Sequence, residues 1–541
     1  MATSSKSKKI KRRDSGDCKS IVQKVLLIFY FTFREFIDWI VDGIFRFIYS
    51  DDRKIKLPNI KYSFLKYSAS SLAEKIRSRE LKSEEVVRGF IERIKEVNPS
   101  LNAVVDDRFE EALEEAKAAD FFLQNTEMKL DELKEKKPFL GVPFTCKEST
   151  AAKGMAFTCG LVSRKGVRAT EDALVVENVK NSGAILIGVT NVPEINLWCE
   201  TRNNVYGQTV NPYNNNRTTG GSSGGEACII SSCGSPMGIG TDIGGSTRMP
   251  AHYCGVYGHK PTTGLISTKG LTFRTGSEGK TMVTAGTITR YAEDIIPFLK
   301  VLLGDNQTQL KLDTKVNLQE LHYYYVLDPG DMRVSPLSKE IIASLLKVVD
   351  HLGTISNNSI EKVNFPGFRY CLSLWRHAMS KEPSNFAKDL GNQQKEVMLS
   401  CELPKLLFGR CNFTLPAIMR LIDLKVLPPT KATWAEKEIN ELKEELIEML
   451  GNDGVFLFPS CPLDAPFHYA SFLRPYNFAY WAIFNVLEFP VTQVPLGLSK
   501  NGLPLGIQIV SAPYNDHLCI AVAQELEKAF GGWIPPYNTD T

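Results

Sequence analysis

The side chains best suited to chemistry lie in one stretch, residues 220–252, which reads GGSSGGEACIISSCGSPMGIGTDIGGSTRMPAH. Two glycine-flanked serine clusters, 220–225 and 243–246, bracket a short apolar run over 236–240 that suits a buried strand. Glycine lets backbone N–H groups approach a ligand with no Cβ in the way, and it accepts the positive φ of a tight turn. Serines held in such turns can present a nucleophilic hydroxyl beside an anion-binding nest of amides. A phosphate cradle is a weaker alternative, because GGSSGG runs into Glu226 and Ala227 where a P-loop needs lysine followed by Ser or Thr. Gly238, Gly240, Gly244 and Gly245 also miss the spacing of a dinucleotide fingerprint. A plain Gly/Ser linker would lack both the embedded strand and the flanking pair Asp242 and Arg248. His252 follows the second cluster closely enough to be weighed as a partner base, although the fold, not sequence proximity, places such a base.

The opening G-G-S-S-G-G-E and the close G-T-D-I-G-G-S-x-R-x-P resemble the signature of the amidase signature family of serine hydrolases. Within that family the chain most resembles the fatty acid amide hydrolases of the membrane-associated second type, from about Lys66 to Trp533. The resemblance implies a Ser-Ser-Lys arrangement with Lys147 as general base, Ser222 as bridging serine and Ser246 as nucleophile. It places the oxyanion against the amides of Ile243, Gly244, Gly245 and Ser246, with Ser223 joining the network and Asp242 and Arg248 fixing the turn. No cofactor and no metal are implied. The implied substrates are fatty acid amides, N-acylethanolamines and primary fatty amides, cleaved through an acyl-enzyme. An amidase or esterase of another substrate class and a catalytically silent membrane scaffold are the alternatives.

These residues need a frame. FLGVPFTCKE, over 139–148, is an apolar, β-branched and aromatic run that predicts a strand with Lys147 at its exit. Read from the residues alone, Lys147 is either a snorkelling surface lysine or a buried one with a task. A helix over 172–181 and a strand over 184–189 follow, then TNVPE, which resembles a family loop on the substrate side. Upstream, Ser83 reads as the N-cap of an amphipathic helix that Asn98-Pro99 stops. Strands over 455–458, 491–496 and 505–510 and a helix over 434–450 complete the pattern, and Lys260, in a G-x-K-P-T turn, reads as structural. Alternating strands and helices predict an α/β fold: one large amidase signature domain, 60–535, with a central twisted mixed, largely parallel sheet covered by helices on both faces.

The N-terminal end is different. Residues 1–20 form a basic tail with almost nothing apolar and are expected to be disordered. Residues 21–50 predict an apolar helix with one charged stripe, in which Arg34/Asp38 and Asp42/Arg46 are i, i+4 neighbours. Acids at mid-depth in a bilayer are costly, so the helix is expected to lie in a membrane interface, intracellular by expectation, or to pair with a second copy as a homodimer. Leucines and phenylalanines over 403–427, interleaved with Lys405, Arg410, Arg420 and Lys425, fit either core-packed helices or an apolar patch with a cationic rim that docks on membrane lipid. A net charge of +3 over 541 residues gives no argument for a nucleic-acid partner. Twelve scattered cysteines, with no C-x-x-C and no Cys/His cluster, favour buried thiols over a zinc site or a disulfide framework.

Overall fold

The computed structural model describes residues 21–49, 56–277 and 279–537, with side chains from Phe29 onward in the first helix. The basic tail expected over 1–20 lies outside the described residues. Eleven strands make the main sheet: β1 (Val104–Asp107), β2 (Pro143–Lys147), β3 (Ile185–Thr190), β4 (Met237–Asp242), β5 (Tyr257–Lys260), β6 (Thr284–Thr289), β7 (His322–Tyr325), β8 (Glu361–Lys362), β9 (Gly454–Pro459), β10 (Val491–Leu498) and β11 (Pro504–Ser511). Their spatial order is β1-β3-β2-β4-β6-β5-β10-β11-β9-β7-β8. The sheet is mixed. Parallel pairing joins β3, β2 and β4 on one flank and β9, β7 and β8 on the other, while the middle is antiparallel.

Alternation along the strands divides the core. Val455 and Leu457 of β9 belong to one hydrophobic cluster and Phe456 and Phe458 to another; Ile509 and Val510 of β11 divide in the same way. Successive side chains of a strand point to opposite faces, so the two clusters are the two faces of one sheet, each covered by helices. Helices used below are α1 (Ile21–Tyr49), α2 (Ser83–Leu101), α3 (Gly224–Ser231), α4 (Cys371–Ser380), α5 (Leu399–Leu407), α6 (Leu415–Val426) and α7 (Ala479–Val486).

Two local expectations change. The hydroxyl of Ser83 donates to the Gly141 carbonyl at 2.9 Å, and the first amides of α2 are capped by the Asp120 carboxylate at 2.7 and 3.0 Å. A carboxylate at a helix N-terminus satisfies orphan amides and also complements the macrodipole. In α1, Asp38 and Asp42 do not pair with Arg34 and Arg46. Both turn to Arg474, at 2.7 Å each, so the acidic stripe faces the protein body. Val41 packs there against Phe467 and Ala470.

The consequence of the parallel flank is positional. Strands β2, β3 and β4 point the same way, so Lys147, Thr190 and Asp242 end them at one edge of the sheet. In open α/β sheets the crevice beyond the carboxyl ends of such strands is where ligands bind.

Candidate active site

Strand β2 is buried from end to end, and the packing that buries it carries Lys147 inside, fully inaccessible. Its Nζ donates to Ser222 Oγ at 2.6 Å and to Thr241 Oγ1 at 2.7 Å. Burial drives the amine down to about 7, partly opposed by the charge of Asp242. An amine stripped of water loses the solvation of its ammonium form, so the neutral form is favoured. The other acid close enough to matter, Glu226, is pushed up to about 8 by burial while it accepts from Thr145 and Thr190 hydroxyls at 2.8 and 2.9 Å. Among the described residues Lys147 therefore has two hydroxyls as hydrogen-bond partners and no carboxylate hydrogen-bonded to it.

Ser222 precedes α3, and Ser246 sits in the turn after β4. The two segments are joined through the backbone: Ser223 N donates to the Ser246 carbonyl at 3.1 Å, and Thr241 N donates to Ser223 Oγ at 3.3 Å. Ser223, expected to join the network beside Ser222, is fully buried and stitches β4 to the turn carrying Ser246. The Ser246 hydroxyl has no hydrogen-bond partner among the described residues. It opens onto two cavities that share Asn196, Leu197 and Ile243. The first, about 200 Å³, is walled by apolar side chains such as Leu372, Trp375, Met419 and Phe478. The second, about 90 Å³, also contains Ser222.

The turn carrying Ser246 is held by a buried ionic lattice. Arg248 meets Asp242 at 3.0 and 3.1 Å and reaches Gln508 at 2.7 Å and Asn485, of α7, at 2.8 Å; Asn485 donates back to Asp242 at 2.9 Å. Burial alone would raise Asp242, but the Arg248 guanidinium holds its carboxyl well below the usual carboxylate range. A buried pair of this kind persists only when its remaining donors and acceptors are matched, as they are here.

This lattice also alters one expectation. The Gly245 amide donates to Asp242 Oδ1 at 2.8 Å, so it is turned inward and is not offered to an oxyanion. The amides of Ile243, Gly244 and Ser246 have no acceptor among the described residues. Gly245 is still obligatory, since its φ is +105° and a Cβ would run into Trp481. His252 is in neither cavity; burial lowers its ring to about 4, and it packs beside Tyr253 and Trp481 with Gln493 Nε2 at 3.4 Å from its Nδ1. Thr241, Asn485 and Trp375, whose Nε1 donates to the Ile243 carbonyl at 3.0 Å, are site residues with no assigned role in the sequence reading. Thr241 lies inside the signature, where its spacing was visible. The other two come from α7 and α4, and no local pattern marks them.

A family model described as Amidase matches residues 85–520. The chain belongs to the amidase signature family. It is an amide-cleaving hydrolase. It is 44% identical to fatty-acid amide hydrolase 2 of Homo sapiens over 478 residues, covering 87% of this chain and 90% of that one. It is 40% identical to fatty-acid amide hydrolase 2-A of Danio rerio, covering 93% and 96%. A solved fatty acid amide hydrolase, 21% identical, shares the fold with a TM-score of 0.70 over 89% of this chain and 88% of that one.

Proposed function

We propose that this amidase hydrolyses long-chain fatty acid amides, N-acylethanolamines and primary fatty amides, through an acyl-enzyme on Ser246. The observation that carries the proposal is a fully buried lysine whose amine, among the described residues, touches only hydroxyls, both of them lining a cavity with Ser246. In the proposed route Ser246 Oγ attacks the amide carbonyl carbon, its proton passes to Ser222, and the Ser222 proton passes to neutral Lys147. The relay requires the Ser246 hydroxyl to come within hydrogen-bond reach of Ser222, with which it shares the second cavity. Such contacts are commonly loose before substrate engages. The tetrahedral oxyanion lies against the amides of Ile243, Gly244 and Ser246, each worth about 3 kcal/mol by precedent. Collapse breaks the C–N bond as Ser222 gives its proton to the leaving nitrogen and is reprotonated from Lys147. Water then cleaves the ester by the same route and returns Ser246.

We propose further that a catalytic domain spans 60–535 and that the helix over 21–50 lies on a membrane. No helix of the described residues is long and apolar enough to cross one. What supports interfacial attachment is the outer face of α1, where Phe29 is 71%, Trp39 70% and Phe47 88% exposed. A second apolar surface, with Leu407 and Phe408 each 79% exposed, lies where α5 leads into α6, whose inner side supplies Met419 and Arg420 to the first cavity. Apolar faces of this size beside cationic residues suit anionic lipid.

A fluorophosphonate probe and a panel of acyl amides of graded chain length test the chemistry: labelling lost in Ser246→Ala and rates rising with chain length are expected. Failure to label the wild-type chain refutes it. Sedimentation with anionic vesicles tests the attachment, with binding expected for the full chain and lost in Trp39→Asp/Phe47→Asp. A soluble dimer that ignores vesicles would assign the α1 face to a second copy instead.

A further inference from the structure

The two cavities that meet at Ser246 are chemically unequal, and the proton donor distinguishes them. Ser222 lines the second cavity and not the first. In the route proposed above Ser222 delivers the proton to the departing nitrogen, so that nitrogen lies on the Ser222 side of the scissile bond. The acyl half then occupies the larger apolar cavity, and the amine half occupies the smaller one.

The smaller cavity is polar in a particular way. Asn196 stands at the junction of the two cavities, and its Nδ2 donates to Thr272 Oγ1, in the wall of the smaller one, at 2.9 Å. The Thr272 hydroxyl gives its one proton to the Ser149 carbonyl at 2.9 Å, so toward Asn196 it can only accept. That fixes the orientation of the amide and leaves Asn196 Oδ1, a buried acceptor, with no donor among the described residues. A buried carbonyl without a donor costs roughly 1–3 kcal/mol, which a ligand hydroxyl or N–H would relieve. Asp389 also lines this cavity and is buried. The one cation of the wall, Arg274, is already matched by Glu382 at 2.9 Å with both side chains nearly inaccessible. The wall therefore carries a surplus of acceptors and of negative charge.

We propose that this second cavity receives the amine half of the substrate, and that Asn196 and Asp389 select short amine halves ending in a hydrogen-bond donor over those ending in a carboxylate. The proposal rests on the fatty-amide reading and adds a specificity for the leaving group. A carboxylate brought against Asp389 would meet like charge with its own solvation removed, whereas a hydroxyl or ammonium finds acceptors. The second cavity, about 90 Å³ against about 200 Å³ for the first, is the smaller of the two and suits the shorter half of the substrate.

The test holds the acyl chain constant as oleoyl and varies the amine: oleamide, N-oleoylethanolamine, N-ethyloleamide and N-oleoylglycine, assayed with the full chain. The wild type is expected to prefer the ethanolamide over the N-ethyl amide by about tenfold in kcat/KM, the value of one hydrogen bond. The preference over the glycine conjugate is expected to be about 100-fold. Asn196→Leu should collapse the first ratio and Asp389→Asn the second, each measured as a ratio within a variant that still labels with fluorophosphonate. A purely structural role for either residue would lower all four rates together and leave the ratios intact, which would overturn the proposal. Equal wild-type rates on the ethanolamide and the glycine conjugate would overturn the subsite alone. Labelling of Ser246 with no hydrolysis of any oleoyl amide would overturn the fatty-amide reading and the subsite with it.

Discussion

Two lysines of this protein, Lys147 and Lys260, are equally inaccessible, and burial pulls both amines down to about 7. Each ends a strand of the same sheet, β2 and β5. Their partners differ. Lys147 contacts two hydroxyls, groups that can both give and take a proton, and both of them line a cavity with Ser246. Lys260 donates to the Pro261 carbonyl at 2.9 Å and to Thr263 at 3.2 Å, and it lines neither cavity beside Ser246. A carbonyl can only accept, so no proton can travel from Lys260 along that contact. Desolvation makes an amine available as a base, but only a hydroxyl leading to the nucleophile makes it a catalyst.

The comparison breaks most visibly in activity. Lys147→Met and Ser246→Ala are each expected to lower kcat/KM by about 10⁴-fold or more, whereas Lys260→Met stays within about tenfold of wild type. Steady-state kinetics on one acyl amide decides it, and comparable losses in both lysine variants would dissolve the distinction.

Stability sharpens it next. A lysine whose folded pKa lies below its unfolded value near 10.4 binds fewer protons in the folded state between those values, so stability rises with pH across that window and the full penalty applies below about 7. Removing the amine should therefore stabilise. Lys147→Met is expected to gain roughly 3 kcal/mol at pH 7, with the gain shrinking as pH approaches 10. Each substitution also strands hydrogen-bond partners, Ser222 and Thr241 in one case and the Pro261 carbonyl and Thr263 in the other, at a cost of about 1–3 kcal/mol that offsets part of the gain. Denaturant unfolding at pH 7 and 9 measures both.

The smallest effect belongs to Thr241→Val. Losing this acceptor removes more from the ammonium than from the amine, so the pKa of Lys147 falls and the acid limb of the pH–rate profile moves down by a fraction of a unit, with about a tenfold loss of rate. An upward movement would mean that Thr241 holds the neutral amine instead.

How much of this was legible follows from where each contact originates. Ser222, Ser246, Asp242 and Arg248 could be named because the signature keeps the serines and the ion pair within one segment, whereas Lys147, left open by its strand pattern alone, was named through the family resemblance. The inward turn of the Gly245 amide was not legible, since it depends on which carboxylate oxygen the finished turn presents. Ser223 could be placed in the network because it neighbours Ser222, but its partner, the Thr241 amide, was not legible. Trp375 and Asn485 reach the site from helices remote in sequence, so only tertiary packing brings them in. The acids of α1 showed their spacing but not their partner, because Arg474 lies far along the chain. His252 shows the converse: nearness in sequence put it under suspicion, and packing placed it away from both cavities.

The central claim is that a neutral Lys147 withdraws the proton of Ser246 by way of Ser222, and the pH dependence of Ser246 labelling by a fluorophosphonate probe tests it most directly. Because the amine acts only when deprotonated, the labelling rate should rise through about pH 7 and then level off, and Lys147→Met should label slowly with no inflection there. A Lys147→Met protein that labels at the wild-type rate with the same inflection would contradict the account.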